Sequence, residues 1–122
     1  MRIRATVACG GHPLPLALRA RDGEVEEVGL PGTLLGLVPD PVLEDQRTEL
    51  APGDALVLYT DGITEARAPE RVLEPADLRA ALRGAAGQPA QRIVEQLAAL
   101  AMGKEGTPPR DDVAVLALRA RG

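Results

Sequence analysis

Apolar residues change their spacing along the chain, and the changes divide it into elements. Residues 2–9 alternate through Arg2, Ile3 and Arg4 and then run apolar through Val7 and Ala8, which predicts a strand. Leu14–Leu18 and Glu24–Val28 flank Asp22-Gly23, and a two-residue Asp-Gly between strand-like runs predicts a hairpin. The segment Leu30–Leu37 is apolar but holds Gly32 and Gly36, so its backbone is expected to bend or to pass close to another group. Glu44–Leu50 has few apolar positions and reads as an edge strand. Ala51-Pro52-Gly53-Asp54 carries Pro and Gly where a type II turn requires them. The continuous apolar run Ala55–Tyr59 then predicts a strand buried on both faces.

After Thr60-Asp61-Gly62 the period lengthens. Ile63–Glu74 has mixed charge and reads as a loop. In Pro75–Arg83, Leu78, Ala81, Leu82 and Ala85 recur at helical spacing, with Pro75 in the first turn and Gly84 beyond the last. Pro89–Ala101 is a second helix with Ile93, Leu97, Leu100 and Ala101 on its inner face, stopped by Gly103. Residues 103–110 form a Gly/Pro loop, and Asp111-Asp112 opens a last buried strand, Val113–Leu118. About six strands and two helices follow, with strands grouped ahead of helices. That order predicts an α+β fold with largely antiparallel sheets.

Composition narrows the functions open to this fold. At 122 residues the chain makes one domain. With no Phe, no Trp and one Tyr, its core must be aliphatic. A net charge of −4 without a basic stripe, and the lack of aromatic residues to stack on bases, argue against nucleic acid as a partner. No apolar run nears the roughly 20 residues that span a bilayer, so no membrane partner is expected. The lone cysteine, Cys9, excludes a disulfide framework, reads as a small buried hydrophobe and fits the cytoplasm. His12, the only histidine, lies in the bend Gly10–Pro13 and is a candidate ligand or base, or a residue that ties down a loop.

The chemistry concentrates on acids at strand ends. Asp61 follows one buried strand, and Asp111 and Asp112 precede another. If the two strands are antiparallel neighbours, these carboxylates meet at one rim of the sheet. Carboxylates in close contact repel, and must share protons or hold a cation. Oxygen-only clusters suit Mg²⁺ or Mn²⁺. The alternative is that each Asp simply serves a turn or a cap.

The ordered segments Ala8–Leu16, Gly32–Leu37, Leu50–Arg67 and Arg110–Leu116 resemble the later part of the SpoIIE-like branch of the metal-dependent (PPM, or protein phosphatase 2C-type) protein phosphatases. Leu58-Tyr-Thr-Asp-Gly-Ile-Thr-Glu-Ala66 is the most specific of them. The resemblance implies an α-β-β-α sandwich holding two Mn²⁺ or Mg²⁺ ions, whose activated water attacks phosphoserine or phosphothreonine. It implies Asp61 and Asp111 as metal ligands and catalytic residues, Gly62 as the accompanying turn residue, and Asp112 as a neighbour of the site. It implies a phosphoprotein substrate such as an anti-sigma-factor antagonist in bacterial signalling, and a homodimer or an upstream sensor domain as further partners. One departure matters. The family's first metal motif, an Asp followed by Gly-His-Gly, is not in this chain. Residues 1–122 are thus expected to be the C-terminal portion of a phosphatase domain without its N-terminal metal-binding half. The alternative is a truncated, non-catalytic fold that binds a partner, dimerises or is completed in trans by another chain.

Overall fold

The computed structural model describes residues 2–68, 71–102, 109 and 112–121. Six strands and three helices follow in the order β1 (Ile3–Val7), β2 (Leu16–Leu18), β3 (Val25–Glu27), β4 (Gln46–Leu50), β5 (Ala55–Tyr59), α1 (Asp61–Thr64), α2 (Pro75–Arg83), α3 (Ala90–Ala101) and β6 (Val115–Arg119). β1 pairs with β4 in a two-stranded sheet, and the second sheet runs β3-β2-β5-β6. Every pairing is antiparallel. The fold is α+β, in three layers.

β5 lies between β2 and β6, and its apolar run has a partner for each face. One face, with Ala55 and Val57, packs against Ile63, Leu78, Leu82, Ile93 and Leu97 from the helices. The other face, with Leu56, packs against Leu50, Val28 and Ala17 between the two sheets. Burying such aliphatic side chains contributes about 1.5–3 kcal/mol each, so this double burial makes β5 the axis of the fold.

The helical periodicity places α2 and α3 correctly. Leu78 and Leu82 of α2 and Ile93, Leu97 and Ala101 of α3 are buried. Asp77 Oδ2 accepts a hydrogen bond from the Glu74 N–H at 2.8 Å and satisfies a donor at the start of α2. The type II turn also forms. Asp54 N–H donates to the Ala51 carbonyl at 2.9 Å, and Gly53 takes the positive φ of 91° that the turn requires. No helix among the described residues is long and apolar enough to cross a membrane.

Three expectations change. Ile63 does not open a loop but belongs to α1, one helical turn that begins at Asp61. Its side chain is fully buried, and burial rather than periodicity makes the turn. The β2–β3 connection is longer than a two-residue Asp-Gly turn. It is closed at Arg19, which accepts from Gly23 N–H and whose own N–H donates to the Glu24 carbonyl, both at 2.9 Å. β6 begins at Val115 rather than Val113. The loop expected over residues 103–110 lies largely outside the described residues, as does Gly103.

Candidate functional site

Two strand ends meet at one rim. Tyr59 pairs with Val115 as the last registered pair of β5 and β6. Thr60 extends the pairing by a residue. Its N–H donates to the Ala114 carbonyl, and its Oγ1 accepts from the Ala114 N–H, both at 3.1 Å. A threonine at this position thus clamps the two chains immediately before Asp61, a role not evident from sequence.

Asp61 then opens α1. Its carbonyl accepts from Glu65 N–H at 2.9 Å and from Thr64 Oγ1 at 3.1 Å, while its carboxylate side is exposed at the rim. Gly62 is buried, and its backbone is not at positive φ. Its need for glycine lies elsewhere. A Cβ at this position would come within 2.0 Å of the Asp112 carbonyl oxygen. Gly62 therefore serves close approach rather than a sharp turn, and the Asp112 main chain lies directly against the start of α1.

Asp112 is exposed beside this contact. Asp111 lies outside the described residues. His12 is exposed and lines a groove of about 320 Å³ that runs from the end of β1 to Thr60, with Val7, Cys9, Leu58 and Leu116 among its walls. This groove, predominantly apolar, could not be read from sequence because it is formed between the two sheets. Cys9 is buried as expected, and burial pushes its thiol up, away from a reactive thiolate. Burial, and then the Glu27 carboxylate, push the Tyr59 phenol up, so it stays protonated near neutral pH.

The donors suit a hard divalent ion in kind, since Asp61 and Asp112 offer oxygen. Among the described residues no three of His, Cys, Asp and Glu gather as a metal site would require.

Comparison with known proteins agrees with this architecture. The family described as Stage II sporulation protein E (SpoIIE) matches residues 2–121. Phosphoserine phosphatase RsbU of Bacillus subtilis (strain 168) is 26% identical over 116 residues, which are 95% of this chain and 35% of RsbU. The RsbU and RsbW domains of Rv1364c from Mycobacterium tuberculosis superpose with a TM-score of 0.75 at 30% identity, over 97% of this chain and 32% of that one. The Mn-presoaked phosphatase domain of SpoIIE from Bacillus subtilis superposes with a TM-score of 0.74 at 18% identity, over 98% of this chain and 51% of that domain's chain. The chain thus spans about a third of RsbU and half of the SpoIIE phosphatase-domain chain. Matched along nearly its whole length in both sequence and fold, the chain belongs to the SpoIIE family.

Proposed function

We propose that the chain is the C-terminal portion of a metal-dependent phosphoserine/phosphothreonine protein phosphatase, in which Asp61 and Asp111 hold Mn²⁺ or Mg²⁺. The observation that carries this reading is the approach of Gly62 to the Asp112 main chain, which brings the start of α1 and Asp112 to one rim. Asp61 follows the end of β5, the strand held between β2 and β6. Thr60 fixes that strand end to Ala114. Bound divalent ions supply a water of lowered pKa and neutralise phosphoryl charge. The Cys9 thiol is buried and pushed up, so it is not the nucleophile of this reading. The RsbU likeness supports a phosphoprotein substrate, and an anti-sigma-factor antagonist is the substrate class we assign.

The test is calorimetric titration of the chain with Mn²⁺, beside Asp61→Asn and Asp111→Asn, with turnover of p-nitrophenyl phosphate read in the same samples. The expected result is binding by the wild-type chain that either substitution abolishes. Equal binding by all three, or none by the wild type, overturns the site assignment.

A second reading has its own observation. Leu116 and Leu118 are 54% and 51% exposed on β6, whose outer edge has no partner strand among the described residues. They sit across from Leu58 and Leu56, on the face between the sheets. A non-catalytic module that binds a partner or dimerises through this face fits that exposure. Ion binding without turnover in the same titration favours this reading.

A further inference from the structure

The chain's acidity is concentrated. Between Asp22 and Gln46 stand Asp22, Glu24, Glu26, Glu27, Asp40, Glu44 and Asp45, with no Lys or Arg among them. The same segment carries an apolar surface that the core does not use. Leu37 is 73% exposed and Val42 68%, and Leu34, Leu35 and Val38 are exposed beside them. Isolated exposed leucines are ordinary, but a contiguous cluster on one loop marks an interaction surface.

The loop is built to hold its shape. Thr33 N–H donates to the Val42 carbonyl, and Val42 N–H donates to Thr33 Oγ1, both at 3.0 Å. These bonds close the ten residues from 33 to 42 at their base. Below the closure, Gly32 lies so near Cys9 that a Cβ would come within 2.2 Å of its carbonyl oxygen. Leu34 and Leu35 rest against Gly11 and Gly10. The apolar side chains are thus presented by an anchored loop. Asp40, Glu44 and Asp45 are exposed around them and form no ion pair among the described residues.

We propose that residues 30–45 form a docking surface for a protein partner whose apolar face is rimmed by Lys and Arg. The apolar centre supplies the contact area, and the unpaired carboxylates select the charge of the rim. A second copy of the chain is disfavoured as occupant, because a two-fold contact through this loop would set like carboxylates against each other. The loop seats on Cys9–Gly11, which also walls the groove leading to Thr60. The inference does not depend on metal binding at Asp61.

The probe is a fluorescent amphipathic helical peptide of Leu and Lys, with a Leu and Glu peptide as its counterpart, titrated against the chain by anisotropy. The Leu/Lys peptide is expected to bind, with affinity that falls as salt is added. The Leu/Glu peptide is expected not to bind. The pair Leu37→Ser and Val42→Ser is expected to weaken binding about tenfold, as loss of interface anchors does. The triple variant Asp40→Asn, Glu44→Gln, Asp45→Asn is expected to flatten the salt dependence. All these positions are exposed, and circular dichroism of the variants should match the wild type. Undiminished binding by the serine pair, or equal binding of both peptides, overturns the proposal. Sedimentation that shows a wild-type dimer dissolved by Leu37→Ser assigns the loop to a second copy and also overturns it.

Discussion

Gly62 and Asp112 are in main-chain contact: no Cβ fits at Gly62, because it would lie 2.0 Å from the Asp112 carbonyl oxygen. The neighbour here is backbone, which cannot swing aside as a side-chain tip can. Gly62→Ala must therefore push the segment before β6 away from α1. We expect a loss of about 1–3 kcal/mol in unfolding free energy, the usual cost of overpacking, read by urea denaturation. We also expect Mn²⁺ affinity to fall, because the substitution separates Asp61 from the acidic segment. Unchanged stability would mean that the two main chains are not in contact.

Asp61 is the counterpart case, important to the proposed site and unimportant to the fold. Its carboxylate is exposed, and the bonds that hold α1 come from its carbonyl. Asp61→Asn should therefore unfold within about 0.5 kcal/mol of the wild type in the absence of metal, as surface substitutions do. Added Mn²⁺ should separate the two. At one hundred times its dissociation constant a ligand adds about 2.7 kcal/mol to the native state that binds it. Melting curves with and without Mn²⁺ should shift for the wild type and stay in place for Asp61→Asn. An equal shift in both would remove Asp61 from the ion site.

The rim at Asp61 was legible in sequence because it depends on strand ends. An apolar run that stops at Asp61 and another that starts after Asp112 meet whenever the two strands pair antiparallel as neighbours, and they do. The helices were legible because Leu78, Leu82 and Ala85, and Ile93, Leu97 and Ala101, keep one helical period over about two turns each. α1 was not, because four residues are too few to show a period, and it forms where Ile63 is drawn into the core. The exposure of Leu37 and Val42 was hidden for a different reason. Apolar residues read as buried until the tertiary fold leaves them outside, and local sequence carries no mark of that.

At the far end of β5, Asp54 ties the two sheets together. Its Oδ1 accepts from Ala20 N–H at 2.9 Å, and its Oδ2 from Ala51 N–H at 2.9 Å and Arg19 Nη1 at 3.1 Å. Arg19 reaches on to the Glu49 carbonyl at 2.6 Å and Thr48 Oγ1 at 3.3 Å, both in β4. Burial pushes the Asp54 carboxyl up, but the two N–H donors and the guanidinium outweigh it and hold it below the ordinary value of 3.8. A depressed carboxyl stabilises the native state fully above its unfolded value, and the contribution is lost as pH falls through the lowered native value. Acid titration of stability should show this loss beginning below about pH 4, and Asp54→Ala should remove it. Asp54→Ala should also cost about 1–3 kcal/mol at neutral pH, since it takes the acceptor from the Ala20 and Ala51 N–H groups, while Arg19 keeps its ion pair with Glu26. A neutral-pH cost near zero would mean that these N–H groups find water instead.

β6 tests whether the open face between the sheets is sticky. Leu116 and Leu118 lie across from Leu58 and Leu56, yet each is about half exposed. Apolar side chains on a strand with a free edge invite pairing with another chain. The double substitution Leu116→Glu, Leu118→Glu places charge on that face and leaves Val115 and Ala117, which pack toward the helices, in place. We expect it to lower concentration-dependent self-association in sedimentation velocity, with circular dichroism unchanged. The Asp61 rim should be unaffected, so Mn²⁺ affinity should match the wild type. A wild-type chain that sediments as a monomer at every concentration would argue against this face as a self-association surface.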